Sequence, residues 1–176
     1  MSELTKKALA VSLKKLLSKK ELSKITIANI TDECGVNRQT FYYHFKDIYD
    51  LLEWIYKNEV IDEIDNKDED WQQRFLYIFE YALKNTYNSI SREYLLRFIY
   101  MQTNKLLIDF IDKESEGMNI KKEDKKFMAD FYKYGFVGIL QEWIEDGMKE
   151  QPEVIIKKLN DIIEGDFKKA LEKMQN

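Results

Sequence analysis

The sequence predicts an all-α protein, because it has few chain breakers and many helix-forming residues. One Pro and six Gly occur in 176 residues, whereas the many turns of a β-sandwich need both residue types. Leu, Lys and Glu, which favour helices, are abundant, and Val is scarce. A chain of this length can bury a sizeable core. We therefore expect about nine helices that pack on one another.

The composition also limits the function. The single Cys34 rules out an internal disulfide and a cysteine cage for a metal, and we expect neither a metal nor another cofactor. One His and no Gly-rich phosphate loop leave no nucleophile–base pair, so we do not expect an enzyme. No apolar run reaches the ~18 residues that cross a bilayer. Residues 1–7 lack a signal-peptide core, so we expect a cytoplasmic protein.

The charge is distributed unevenly along the chain. Residues 1–50 carry nine Lys or Arg and six Asp or Glu, which gives +3. Residues 51–176 carry nineteen and twenty-six, which gives −7 and a total of −4. This asymmetry favours a model in which only the N-terminal segment contacts a polyanion.

The first predicted helix covers about residues 4–18. Its apolar face has leucines at helical spacing, namely Leu9, Leu13, Leu16 and Leu17. Its other face is basic, with Lys6, Lys7, Lys14 and Lys15. Such a face is either simply solvated or in contact with phosphate.

Residues 25–46 have the pattern of a helix-turn-helix. Thr26 is a suitable N-cap, and Ile25 and Ile30 flank it as a hydrophobic staple. Gly35 can end the short helix because glycine tolerates positive φ. Asn37 then caps a second helix after a single intervening residue. Two helices joined by a tight glycine turn can bind DNA, although the same geometry also occurs as simple packing.

The second helix, from Arg38 to Phe45, presents two different faces at 100° per residue. Phe41 and Phe45 lie on the side that packs against the first two helices. On or near the opposite side lie Gln39, Tyr42, Tyr43 and Lys46, with Thr40 and His44 on a flank. The tyrosines, Thr40, His44 and Lys46 can bind phosphates, and near the helix N-terminus Arg38, Gln39 and Thr40 are of the types that reach base edges. Backbone N–H groups at the helix starts after Thr26 and Asp47 would add phosphate sites.

This segment resembles the DNA-binding segment of TetR-family regulators. The family pattern T-x-x-x-I-x-x-x-x-G-V-S-x-x-T-x-Y-x-H/Y-F is matched at Thr26, Ile30, Gly35, Val36, Thr40, Tyr42, His44 and Phe45, and conservatively at Asn37. The resemblance implies sequence-specific DNA binding. The expected DNA contacts are Thr26, Asn37, Arg38, Gln39, Thr40, Tyr42, Tyr43, His44 and Lys46.

The segment departs from the family pattern at two positions. Gln39 stands where a small residue is common and offers an additional base contact. Ile48 stands where many members have a phosphate-binding Lys, and we expect Lys46 to substitute for it.

A narrower likeness covers residues 37–54 and 135–143. Both segments resemble the Firmicute subgroup of the TetR family that includes activators of dihydroxyacetone kinase operons. The subgroup is broad, so the likeness does not define the regulated genes.

We expect two domains, a DNA-binding domain at residues 1–50 and a regulatory and dimerisation domain at residues 51–176. The second domain should contain about five helices. The longest candidate is residues 121–148, and Pro152 should begin a final helix that Gly165 interrupts. The acidic residues 62–70 should contain the link between the domains.

The family resemblance implies a homodimer that forms through the last two long helices, about residues 121–148 and 152–174. The expected interface residues are Gly135, Gly138, Trp143, Ile155, Leu159 and Ile162. Gly135 and Gly138 would permit a close helix approach, and between Tyr132 and Trp143 the predicted helix is apolar nearly all the way round. A central helix covered by its own chain would explain the same apolar band. A two-fold dimer would bind a near-palindromic operator.

The second domain is rich in Phe and Tyr. The resemblance implies an inducer pocket among its helices, whereas aromatic residues at helical spacing also form ordinary cores. The effector is either a small molecule or a partner protein, and the pattern does not indicate repression or activation. A helical interaction protein that has lost DNA binding is the remaining alternative.

Overall fold

A computed structural model of the chain describes residues 2–61, 64, 70–85 and 89–175. Within these residues the regular elements are helices, and no strand occurs. The α-helices are α1 (Ser2–Leu17), α2 (Ile27–Cys34), α3 (Arg38–His44), α4 (Ile48–Tyr56), α5 (Trp71–Asn85), α6 (Ser89–Glu114), α7 (Lys122–Glu145), α8 (Pro152–Ile163) and α9 (Asp166–Met174). The predicted all-α fold class is confirmed.

The chain forms two compact units. We call residues 1–66 with 85–95 the N-terminal unit, and residues 67–84 with 96–176 the C-terminal unit. The N-terminal unit therefore includes α1–α4 and the beginning of α6, while the rest of α6 belongs to the other unit. The domain boundary at residue 50 stays a prediction. Most of the predicted link, residues 62–63 and 65–69, lies outside the described residues.

The core of the N-terminal unit is built from the predicted apolar faces. Leu9 and Leu13 of α1 are completely buried, as are Ile30 of α2 and Phe41 of α3. Helix α1 contacts α2, α3 and α4, so it holds the two short helices in place. Short helices are unstable alone, and burial of these side chains supplies most of their stability.

Side-chain caps begin α2, α3 and α4 at the positions that the sequence predicts. The Thr26 hydroxyl oxygen accepts a hydrogen bond from the Asn29 backbone N–H at 3.2 Å, and the side-chain oxygen of Asn29 accepts one from the Thr26 backbone N–H at 3.1 Å. This reciprocal pair is a capping box. Asn37 caps α3 and Asp47 caps α4. Gly35 ends α2 at φ 74°, a conformation that strains other residues.

Aromatic packing is the main feature that joins the helices of the C-terminal unit. Phe75 and Phe136 stack with ring centroids 3.9 Å apart, and Phe79 lies 5.1 Å from Trp143. The starts of α7, α8 and α9 have no side-chain cap. Gly165, at φ 78°, separates α8 from α9, as the sequence predicts.

Within the described part of the chain, no helix combines the length and the apolar character needed to cross a membrane. The same residues contain no group of three His, Cys, Asp or Glu that could hold a metal ion.

Candidate nucleic-acid interface

The outer face of α3 exposes two adjacent tyrosines. Phe41 is fully buried and Phe45 is 3% exposed, with their ring centroids 5.9 Å apart, so these two residues hold the inner face of the helix. Tyr42 and Tyr43 are 59% and 81% exposed. Exposing two neighbouring aromatic rings is costly for a surface without a partner. The face is therefore a candidate binding surface.

The other residues predicted on this face also reach solvent. Arg38, Gln39 and Lys46 are exposed, and Thr40 and His44 are half-buried. The His44 ring lies edge-on to Tyr43, with centroids 4.9 Å apart, which restricts its orientation. The structure therefore brings these predicted contact residues together around the exposed tyrosine pair.

Asn37 is already engaged at the start of α3. Its side-chain oxygen accepts from the Thr40 backbone N–H at 2.8 Å and from the Thr40 hydroxyl at 3.0 Å. The remaining group of Asn37 that can bind DNA is its NH₂ donor. Asn37 therefore positions the helix first, and a DNA contact by it stays a prediction.

A basic residue that the sequence analysis did not select lies at the start of α2. The Lys20 ammonium donates to the side-chain oxygen of Asn29 at 3.1 Å, and Asn29 forms the capping box with the exposed Thr26. Lys20 follows α1 and belongs to no periodic face, so helical spacing could not reveal its position. Its charge lies beside the helix start at which Thr26 is a predicted DNA contact.

The start of α4 is already occupied by carboxylates. Asp50 accepts from the Lys46 backbone N–H at 2.8 Å, and Asp47 accepts from the Asp50 N–H at 2.8 Å. Of the first-turn N–H groups of α4, that of Asp50 is taken, while those of Ile48 and Tyr49 lie beside two carboxylates that repel a phosphate. The expected phosphate site after Asp47 stays a prediction, and the side chain of Ile48 adds no donor there.

Two lysines on the basic face of α1 bind carboxylates of the same unit. The Lys14 ammonium lies 2.8 and 3.0 Å from the two Glu59 oxygens, and Lys15 pairs with Glu33. The hydrogen bond from Lys15 lowers the pKa of Glu33, which keeps that carboxylate ionised. These pairs favour a structural role for this part of α1.

A helix-turn-helix with an exposed polar and aromatic second helix defines a DNA-binding regulator. Residues 12–55 match the family model for "Bacterial regulatory proteins, tetR family". Residues 69–165, more than half of the chain, match the TetR model for the "Transcriptional regulator C-terminal region". The chain belongs to the TetR family of transcriptional regulators. Proteins of this family are generally not enzymes.

Individual relatives agree with this family. The chain is 33% identical over 86 residues to the HTH-type dhaKLM operon transcriptional activator DhaS of Lactococcus lactis subsp. lactis (strain IL1403). That match covers 48% of this chain and 46% of the activator, so it spans about half the length of each.

Solved structures show the same fold. A dihydroxyacetone kinase operon activator, DhaS, superposes with a TM-score of 0.74 at 22% identity, over 98% of each chain. The fatty acid degradation regulator FadR from Bacillus halodurans gives 0.59 at 13% identity, over 92% of this chain and 95% of FadR. At these identities, the structural likeness supports the fold alone.

The predicted dimer residues fall into two groups. Gly135 and Gly138 on α7 are exposed, and Ile162 on α8 is 69% exposed. The second group, Trp143, Ile155 and Leu159, is at most 7% exposed because these side chains fill the core of their own unit. Almost no accessible surface of these three side chains remains for a partner to bury. The surface still open on α7 also contains Phe127, Phe131 and Tyr134, at 69%, 66% and 62% exposure.

The C-terminal unit contains a cavity of about 450 Å³, within the ~300–1,000 Å³ that is usual for small-molecule sites. Its walls include Phe75, Phe110, Tyr132, Phe136 and Phe167. Burial, with a smaller contribution from the Asp166 carboxylate, raises the pKa of the Tyr132 phenol. That hydroxyl therefore stays a neutral donor and acceptor.

Proposed function

We propose that the protein is a homodimeric transcriptional regulator that binds a near-palindromic operator. The observation that carries this proposal is the exposed pair Tyr42 and Tyr43 on α3, a helix whose opposite face is buried. The basic residues Arg38 and Lys46 flank this pair in the sequence. Side chains near the start of a recognition helix reach base edges, so Arg38, Gln39 and Thr40 would read sequence. Since the operator lies in the genome, the regulator would act in the bacterial cytoplasm.

The remaining residues would hold the DNA backbone. Tyr42, Tyr43, His44 and Lys46 are donors of the kind that bind phosphate oxygens. Lys46 would supply the charge that Ile48 lacks, and Thr26 would donate from the start of α2.

The dimer proposal rests on the outer face of α7. Phe127, Phe131, Tyr134 and Gly138 fall within one helical face at 100° per residue. A Cβ added to Gly135 or Gly138 would meet nothing within 4 Å in this chain, although Gly destabilises a helix by about 1 kcal/mol relative to Ala. Close approach of a second copy would explain why glycine stands there.

Regulation would come from an effector that binds the C-terminal unit, either a small molecule or a partner protein. The cavity described above supports a small molecule. The matched DhaS sequence is named as an activator of the dhaKLM operon, and the matched DhaS structure as a dihydroxyacetone kinase operon activator. A promoter of that type is therefore a second DNA to test beside the protein's own upstream region.

A mobility-shift titration with the upstream DNA, at one stated salt concentration, tests the proposed interface. Tyr42→Ala and Lys46→Ala should each abolish or greatly weaken the shift, because each removes a predicted phosphate contact. Lys149→Ala, an exposed lysine of the C-terminal unit, is the matched control and should bind normally. If both interface variants kept wild-type affinity, the assignment of this face would be wrong. Footprinting across the promoter would then locate the operator and distinguish repression from activation.

A further inference from the structure

The cavity of the C-terminal unit is enclosed by two aromatic clusters. In the first, Phe75 stacks on Phe136 at 3.9 Å, and Trp71 lies edge-on to Phe136 at 5.8 Å. In the second, Phe167 lies 5.0 Å from Phe110 and 5.2 Å from Tyr132. All six rings line the cavity. An enclosure of this kind favours a broad apolar or aromatic body.

Charged residues of both signs complete the lining, with acids in excess. The acids are Asp70, Asp109 and Glu114, and the bases are Arg74 and Lys113. Within the described residues, the side chains of Asp109 and Glu114 form no hydrogen bond or ion pair, and both residues are exposed. Two carboxylates are therefore available to a ligand.

One of the two basic residues is already engaged. Arg74 already interacts with another group of the chain. The Lys113 ammonium is exposed and, within the described residues, forms no ion pair, so it stays open to a ligand carboxylate. A carboxylate bound there would still lie near three acids that line the same cavity, Asp70, Asp109 and Glu114. The net charge of −7 on residues 51–176 further disfavours an anion and favours a cation.

We propose that this cavity binds an amphipathic organic cation, a molecule with a flat apolar body and one ammonium-type charge. The rings of the two clusters would cover the body and attract the cation through their faces. Asp109 and Glu114 would neutralise the charge at the cavity edge. This inference rests on the proposed function, since it identifies the chemical class of the effector.

Isothermal titration calorimetry of the full chain with three probes tests the proposal. The probes are 2-(1-naphthyl)ethylammonium, 2-(1-naphthyl)ethanol and 1-naphthylacetate, which share one aromatic body and differ in charge. At neutral pH the ammonium should bind about tenfold more tightly than the alcohol, and the carboxylate should bind most weakly. Equal or tighter binding of the carboxylate would overturn the proposal, as would no binding of any probe.

Two sets of variants locate the binding site. The double variant Asp109→Asn with Glu114→Gln should remove the preference for the ammonium. Its control, Glu153→Gln with Glu172→Gln, removes the same charge from exposed acids outside the cavity and should keep the preference. Phe110→Leu keeps an apolar wall but loses the ring, so it should weaken the binding of the ammonium probe more than the binding of the alcohol probe. Equal effects of the two double variants would place the charge recognition elsewhere.

The mobility shift without probe separates this inference from the proposed function. If the protein shifts its operator normally but does not bind the ammonium probe in preference to the other two, the proposed ligand class is wrong and the proposed function stands. Preference for the cation with no shift on any promoter DNA overturns the proposed function and leaves the cavity assignment standing.

Discussion

Two surfaces of this protein expose aromatic side chains, and they differ in what surrounds the rings. On α3, Tyr42 and Tyr43 lie between the basic residues Arg38 and Lys46. On α7, the exposed stripe of Phe127, Phe131 and Tyr134 is accompanied by Gly135 and Gly138 instead. Exposure makes both of them candidate binding surfaces. From the neighbouring groups we propose a polyanion as the partner of α3 and another helix as the partner of α7.

The two surfaces are also supported in different ways. Helix α3 has seven residues and depends on the Asn37 cap and on the buried Phe41. Helix α7 has 24 residues and starts without a side-chain cap, so tertiary packing holds it. Damage to local supports should therefore affect α3 more than α7.

The largest effect should come from removing the support beneath α3. Phe41→Ala empties a fully buried site and should cost about 3–5 kcal/mol of unfolding free energy. Phe131→Ala, which truncates an exposed Phe on α7, should leave the unfolding free energy of the monomer almost unchanged. Chemical denaturation of both variants at low protein concentration measures the difference. Equal losses of unfolding free energy in the two variants would contradict the distinction between a Phe that supports α3 from the core and a Phe that is exposed on α7.

A somewhat smaller effect is expected from a charge placed on the α7 surface. Phe131→Glu should weaken dimerisation by about 100-fold or more, because a carboxylate replaces an aromatic side chain that the proposed dimer would bury. Operator affinity should fall with it, since linkage of two recognition helices provides much of that affinity.

Sedimentation velocity and mobility shift on the same samples check this expectation. Met101→Glu, on α6, is the control, because Met101 is 64% exposed against 66% for Phe131. An unchanged dimer in Phe131→Glu would move the interface away from this stripe.

The smallest effect should follow from removing the α3 cap. Asn37→Ala loses the oxygen that accepts from the Thr40 backbone and hydroxyl and should cost about 1 kcal/mol of stability. Asn37→Asp keeps the cap and should restore stability, while its charge should weaken DNA binding. Thermal unfolding and mobility shift of both variants separate capping from DNA contact. If Asn37→Asp bound DNA normally, Asn37 would act as a cap alone.

The sequence predicted the N-terminal unit in detail because its signals are local. Thr26, Gly35 and Asn37 act on backbone groups within a few residues, so their roles are visible in the order of the residues. The inward faces of α1 and α3 were likewise predictable, since helical periodicity places Leu9, Leu13 and Phe41 toward the core.

The C-terminal unit was less predictable because its geometry depends on residues distant in sequence. Trp143 and Leu159 were expected at a dimer interface, and the structure buries them in their own unit. Periodicity identifies an apolar face but does not say whether the same chain or a second copy covers it. The lysine pairs of α1 were hidden for a related reason, since Glu59 is 45 residues from Lys14.

By itself, the sequence determined the all-α class, the helix-turn-helix and the face of α3 that carries Tyr42 and Tyr43. These follow from propensity, capping and periodicity, which act over one or two helical turns. Only the tertiary structure decided which apolar residues stay exposed on α7 and how six aromatic rings surround a cavity. Those features arise when distant helices pack, and the space left between them depends on the shapes of all the side chains that meet there.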